Sequence, residues 1–228
     1  TGYAHPIIGW ADDIAALDKA DLQGWYQQWY TPSNATLVVA GDVDPQAVHD
    51  LAREYFGPIP GRPVPSVADP DNLDPPGERR LIYRDDQTRV AQLRMGYEVP
   101  SLATAEHARD PYALMMLASV LDGGEGARLA ENLVRGSGVA AAAGAGYNGM
   151  TRLDTEFSLF GVPADRDIEA GEHGLREPVA QLRREPVRPE ELPRSRSQLL
   201  ADHLFELDSV FHQATQAGPL EPAGPSWR

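Results

Sequence analysis

The chain has 228 residues, of which 42% are hydrophobic and 24% are charged, a composition that is typical of globular domains and excludes general disorder. Acidic residues outnumber basic ones by 34 to 20, and the resulting formal charge of −14 argues against a nucleic-acid partner. The absence of cysteine excludes disulfides and thiol chemistry, and the longest strongly apolar stretch, Ala113–Leu121, is too short to span a bilayer. Because the chain begins at Thr1 without an initiator methionine, we expect it to be a fragment of a longer protein.

The first 60 residues have the pattern helix, strand, helix. Asp18 is placed to cap a helix that runs to Tyr30, the β-branched run at 35–40 predicts a buried strand, and an Asp-Pro pair begins a second helix over 44–56. Aromatic residues in the first helix repeat at a spacing of four and predict a buried stripe. These residues are Trp25, Tyr26, Trp29 and Tyr30.

Seven prolines between residues 57 and 77 predict an extended linker, because proline interrupts both helices and central strands. We place the domain boundary here. Residues 1–60 form the first part, 61–77 the linker and 78–228 a second domain.

In the second domain, paired strands alternate with paired helices. The sequence predicts strands at 79–84, 90–99, 139–147 and 153–162, and helices at 110–121, 126–135, 166–184 and 189–216. Pro178 and Pro193 are expected to kink or shorten the last two helices, and the tail from Gly218 is expected to fray. This order predicts an α+β fold with a largely antiparallel or mixed sheet layered with helices.

Spacing alone reveals no catalytic constellation and no metal site. The glycines at 144, 146 and 149 match the letters of a dinucleotide-binding loop, but a strand is predicted after them, so we interpret them as a glycine-rich strand and turn. None of the six histidines lies in H-E-x-x-H or in its inverse. Asp202 and His203 with Glu206 are interpreted as a solvated helix surface.

Several segments closely resemble one peptidase family. The segments are His5–Trp10, Leu22–Tyr30, Pro32–Asp44 and Tyr55–Pro60 in the first part, and Leu121–Arg135 and Gly218–Arg228 in the second. Together they resemble the pitrilysin/insulinase family of zinc metallopeptidases, in its bacterial processing-peptidase-like branch.

The resemblance implies a clamshell of two similar halves that encloses an unfolded peptide. The family binds zinc through H-x-x-E-H and a later Glu, and no position of this sequence matches that motif. We therefore expect no catalytic residue, no metal ligand and no activity in this chain alone, with zinc held by the parent protein or a partner subunit. The resemblance places residues 1–60 at the end of the zinc-bearing domain. It makes 78–228 an inactive domain that is truncated before its last helix and strand.

The resemblance also suggests one substrate-binding residue. Active family members carry an Arg, followed seven residues later by a Tyr, that contact substrate from the non-catalytic domain. Arg135 matches the Arg, but Ala142 occupies the Tyr position and Tyr147 lies too far along. The alternative is that Arg135 is only a favourable charge at a helix C-terminus.

Three functions remain open at this point. The first is a non-catalytic part of a zinc endopeptidase, completed by an upstream catalytic half or a homologous subunit. The second is a structural subunit that never cuts, and the third is a free-standing module that binds extended peptides by strand addition. A peptide substrate, a homodimer and placement in the periplasm or cell envelope rather than the cytoplasm are further expectations.

Overall fold

The computed structural model describes residues 7–66 and 77–223 of the chain. They belong to two structural units. One unit comprises residues 77–205, and the other combines residues 7–66 with residues 206–223.

A three-stranded antiparallel sheet lies at the centre of the unit 77–205. Its strands are β1 (Leu93–Val99), β2 (Ala140–Tyr147) and β3 (Thr155–Pro163), in the order β1-β3-β2. Met95 and Ala145 both pair with Leu159 of the central strand. The alternating apolar pattern of β1 and β3 and the small residues of β2 allow this pairing, and the predicted α+β fold is confirmed.

Helical segments complete this unit. They are α4 (Asp110–Asp122), a wide-turned π-helical segment (Ala130–Gly136), α5 (Ile168–Arg184) and α6 (Glu191–Glu206). The core consists of Leu121, Leu129, Leu133, Ala140, Phe157, Leu159 and Leu175. Burial of each large aliphatic side chain in this set contributes roughly 1.5–3 kcal/mol, so the core is the main stabilising feature of the unit.

The other unit has helices with exposed apolar side chains. Its helices are α1 (Ala11–Ala16), α2 (Lys19–Trp29), α3 (Pro45–Phe56) and α7 (Val210–Ala223). Asp18 and Asp21 form a reciprocal capping box at the start of α2, as the predicted cap requires. None of α1, α2 and α3 contains a buried residue.

The predicted burial of the aromatic stripe on α2 is wrong. Trp25, Tyr26 and Tyr30 are each more than half exposed. The rings pack on one another instead, with Tyr26 and Tyr30 stacked at a centroid distance of 4.7 Å. Helical spacing brings the rings to one face, but spacing does not supply a surface for that face to cover.

Two predicted strands are absent from the described residues. The segments 35–40 and 79–84 have no regular structure, and Leu37, Leu81 and Tyr83 are exposed. A strand is defined by hydrogen bonds to a neighbouring strand, and neither segment has such a neighbour in the part of the chain that the structure describes.

The last predicted helix is two helices. The helix predicted over 189–216 is interrupted between α6 and α7, where Ser209 caps the second helix by accepting a hydrogen bond from the His212 N–H at 3.1 Å. Neither proline causes the break: α5 continues through Pro178, and Pro193 lies in the first turn of α6, where its missing N–H has no cost. Contrary to the predicted fraying from Gly218, α7 runs to Ala223, and the residues after it lie outside the described part.

The start of the proline-rich segment is anchored to the unit that contains α2. The Arg62 N–H donates to Thr31 Oγ1 at 3.0 Å and to Ser33 Oγ at 2.9 Å, and the Arg62 side chain donates to the Tyr30 carbonyl at 2.8 Å. Residues 67–76 of the predicted linker lie outside the described residues.

Candidate functional site

Arg135, the proposed substrate contact, lies in the last turn of the π-helical segment. Its Nη1 is 2.5 Å from Glu125 Oε2, and its Nη2 donates to the Glu125 main-chain carbonyl. The Glu125 side chain is 95% exposed and that of Arg135 is 47% exposed. Because exposed ion pairs contribute about 0–1 kcal/mol, the guanidinium is oriented by this contact but can exchange it for another anion at low cost.

The position of the family tyrosine does not contribute to this site. Ala142 lies near the start of β2, is exposed and pairs with Val162. Tyr147 lies at the other end of β2, where its hydroxyl donates to the Pro100 carbonyl at 2.6 Å and burial raises its pKa. Tyr147 is therefore engaged within the domain, at the opposite end of the strand.

A buried ion pair, which sequence reasoning missed, joins α6 to the segment that precedes Arg135. Arg128 donates from Nε to Glu191 Oε1 and from Nη2 to Glu191 Oε2, both at 2.7 Å. The two side chains are 3% and 0% exposed. Arg188 donates two further hydrogen bonds to Glu191, from its main-chain N–H to Oε2 at 2.8 Å and from its Nη2 to Oε1 at 3.0 Å. The Glu191 carboxylate therefore accepts four hydrogen bonds from two arginines.

These contacts determine the protonation of Glu191. The pKa of Glu191 is lowered from 4.5 to about 2, chiefly by the hydrogen bond from Arg128 and in addition by the hydrogen bonds from Arg188, against an opposing effect of burial. A charged pair with this geometry fixes the orientation of α6 against the Arg128 segment. Arg128 and Glu191 are 63 residues apart along the chain. Local sequence patterns therefore gave no signal for this ion pair.

The other motifs lie where the sequence placed them. Gly144 and Gly146 are in β2, Gly149 follows in the turn and β3 comes next, which confirms a glycine-rich strand and turn. His203 is exposed on α6, as predicted for a solvated surface, whereas Glu206 pairs with a histidine of α7, with Oε2 3.1 Å from His212 Nε2.

The described residues contain no cluster that fits a zinc site. Over 7–66 and 77–223, no three His, Cys, Asp or Glu side chains are grouped as a metal ion requires, and the sequence lacks the inverted motif throughout. Within the same described ranges, no helix is long and apolar enough to cross a membrane.

Comparison with known proteins identifies one family model and several related proteases. The peptidase M16 inactive domain matches residues 16–199. The zinc protease PqqE of Helicobacter pylori is 27% identical over 214 residues, which cover 90% of this chain and 47% of PqqE. The crystal structure of a protease from the same organism has a TM-score of 0.81 at 24% identity and covers 91% of this chain and 50% of that one. The periplasmic protease PqqL of Escherichia coli has a TM-score of 0.71 at 21% identity, over 97% of this chain and 25% of PqqL.

The α+β fold and the match to the peptidase M16 inactive domain define a non-catalytic, peptidase-like domain. The chain belongs to the peptidase M16 family and contains its inactive domain, which confirms the resemblance to the pitrilysin/insulinase zinc peptidases. The chain spans about half the length of PqqE and of the structurally similar protease from the same organism.

Proposed function

We propose that this chain is the non-catalytic part of a zinc-dependent metalloendopeptidase, in which it helps to form a clamshell chamber that holds an extended peptide. The match of residues 16–199 to the M16 inactive domain carries the proposal. The missing inverted zinc motif supports it, because the chain then needs a second half that supplies zinc and the activated water. In this arrangement, 1–60 belong to the zinc-bearing domain, 61–77 to the linker and 78–228 to the inactive domain, and the inactive-domain match, which begins at residue 16, extends back across the linker into the preceding domain.

The exposed apolar side chains of residues 7–66 support contact with further protein. Trp25, Leu37 and Tyr55 are all more than half exposed, and α1, α2 and α3 have no buried residue. Apolar surface of this extent is typical of regions that other protein covers. The upstream catalytic half is the first candidate, and a homologous peptidase subunit or a second copy is the alternative.

Arg135 is the proposed contact between this domain and the peptide. Its guanidinium is about half exposed and already binds the Glu125 carboxylate and carbonyl, which are the two acceptor types that a peptide offers. We place the complete protein in the periplasm or cell envelope, by analogy with PqqL, whose structure is described as that of a periplasmic protease.

The test begins with the gene. The coding sequence upstream of Thr1 is read for H-x-x-E-H, and the parent protein is then assayed for cleavage of an unfolded peptide, with and without a chelator. We expect the motif, chelator-sensitive cleavage by the parent and no cleavage by the 228-residue chain alone. The matched control is the parent with the Glu of the motif replaced by Gln.

A parent without the motif and without activity would overturn the proposal. That result would favour the structural subunit that never cuts. Cleavage by the 228-residue chain itself would also overturn it.

A further inference from the structure

The glycine-rich motif at the end of β2 has no part in the proposed function. Its last glycine, Gly149, lies in the turn after the strand and directly follows Asn148. The other asparagines of the sequence, at 34, 72 and 132, are followed by alanine or leucine. A glycine has no Cβ, so its main-chain nitrogen can approach the preceding side chain without steric obstruction. Asn148 is therefore the asparagine of this chain that its own main chain can attack most easily.

The turn polarises the Asn148 side-chain carbonyl. The Met150 N–H donates to Asn148 Oδ1 at 3.0 Å. A donor in this position stabilises the negative charge that the oxygen gains when a nucleophile adds to Cγ. Asn148 is exposed, so water and hydroxide reach its amide group. The Gly149 N–H has no acceptor in the described part of the chain, and its nitrogen is not engaged in another contact there.

The main chain on both sides of Asn148 is held by the segment 100–102. The Tyr147 hydroxyl donates to the Pro100 carbonyl at 2.6 Å, and the Leu102 N–H donates to the Gly149 carbonyl at 2.9 Å. Tyr147 also pairs with Phe157 of β3, whose side chain is buried in the core. A change in main-chain length at Asn148 would therefore act on a turn that is fixed at both ends.

We propose that Asn148 is a site of spontaneous deamidation in the folded chain, with water and hydroxide as the co-reactants. Hydroxide removes the Gly149 amide proton, the nitrogen attacks Asn148 Cγ, and a nitrogen–carbon bond forms. The bond from Cγ to Nδ2 breaks, and Nδ2 takes a proton from water and leaves as ammonia. Water then opens the cyclic imide at either carbonyl. The products are aspartate, or isoaspartate in which the main chain runs through Cβ and Cγ.

The two products differ in their effect on the turn. Aspartate adds a negative charge but keeps the main chain and an oxygen that can accept the Met150 N–H. Isoaspartate also lengthens the main chain by one methylene between Tyr147 and Gly149, which are both anchored to 100–102. We expect isoaspartate, and not the charge, to loosen the connection between β2 and β3. This inference is independent of the proposed function.

Timed incubation of the folded 228-residue chain at mildly alkaline pH tests the site. Samples are digested, and mass spectrometry measures the conversion of each asparagine to an acid, with electron-transfer fragmentation to separate isoaspartate from aspartate. Asn34 and Asn132 are the internal controls, because both are exposed and neither precedes a glycine. We expect Asn148 to convert at least about tenfold faster than either control and to yield both products.

Two substitutions separate the chemistry from its consequence. Gly149→Ala is expected to slow conversion about tenfold or more, because the added Cβ obstructs the attacking nitrogen. That Cβ would lie 3.0 Å from Tyr147 Cε1, so the ring has to shift slightly, and the internal controls supply the same comparison without a substitution. Asn148→Asp introduces the charge alone and is expected to keep the thermal midpoint of the unmodified chain. The isoaspartate form, separated by ion-exchange chromatography, is expected to melt at least about 3 °C lower.

Equal conversion at the three asparagines, or none at Asn148, would overturn the site. Formation of aspartate without isoaspartate would overturn the cyclic route, because direct hydrolysis of the side-chain amide leaves the main chain unchanged. An isoaspartate form that melts with the unmodified chain, or an Asn148→Asp variant that melts as low as the isoaspartate form, would overturn the effect assigned to main-chain length.

Discussion

Replacing Glu191 by Gln tests the energetic role of the buried ion pair. The variant keeps the size of the side chain but leaves the Arg128 guanidinium buried without its counter-charge. A lowering of the Glu191 pKa from 4.5 to about 2 corresponds to about 3 kcal/mol of native-state stability at neutral pH. Breaking a buried pair by removal of one partner typically costs about 3–5 kcal/mol. We therefore expect Glu191→Gln to lower the free energy of unfolding by about 3 kcal/mol at pH 7.

The pH dependence provides the more specific part of this prediction. A carboxyl with a lowered native pKa stabilises the fold above its unfolded pKa, and this stabilisation is lost as the pH falls from about 4.5 towards 2. The difference between the wild-type chain and the variant should therefore shrink over that interval.

Urea unfolding followed by far-ultraviolet circular dichroism at several pH values measures both quantities. Glu156→Gln is the matched control, because Glu156 pairs with Arg94 at 3.0 Å on an exposed surface, with side chains 41% and 77% exposed. We expect it to change stability by no more than about 1 kcal/mol. Equal stability of the Glu191 variant and the wild-type chain at pH 7, or a constant difference down to pH 2, would refute the reasoning.

Three further substitutions probe other features of the structure. Gly144→Ala should destabilise the sheet by about 1–3 kcal/mol, because the added Cβ would lie 2.1 Å from Phe160 Cε1; a thermal midpoint equal to that of the wild-type chain would contradict this close approach. Asp18→Ala should reduce stability by about 1 kcal/mol and the helical circular dichroism signal of α2, since it removes the capping box; unchanged spectra and urea midpoints would show that the cap is not needed. Arg135→Ala should alter stability by less than about 1 kcal/mol but weaken peptide binding by the parent protein; a large loss of stability would instead favour a purely structural Arg135.

Local sequence patterns predicted the elements whose stabilising partners are near in sequence. The β2 and β3 strands are adjacent along the chain and separated by a glycine-containing turn, so their pattern determined both strands and their pairing. The same reasoning failed for 35–40, because β-branched residues favour extended backbone but cannot provide the neighbouring strand. It also could not anticipate how α6 is oriented.

In the candidate site too, the sequence predicted local features but not the contacts between residues that are distant along the chain. The resemblance to the peptidase family drew attention to Arg135, and the sequence placed it at a helix end. The sequence could not predict that Glu125 would form an ion pair with the Arg135 guanidinium, because this contact depends on the path of the loop between α4 and the π-helical segment. The Arg128–Glu191 pair was likewise beyond prediction because three-dimensional packing alone brings its partners together.

The separation of Arg128 and Glu191 along the chain has a consequence for synthesis on the ribosome. The strands β1, β2 and β3 are all translated before α6, so they can begin to pair while Glu191 is still absent. Until α6 emerges, the Arg128 guanidinium lacks the carboxylate that neutralises it and cannot be buried without a large cost. The sheet unit should therefore complete its folding late and in one step, when α6 docks. Nascent chains that end before residue 191 should remain sensitive to protease.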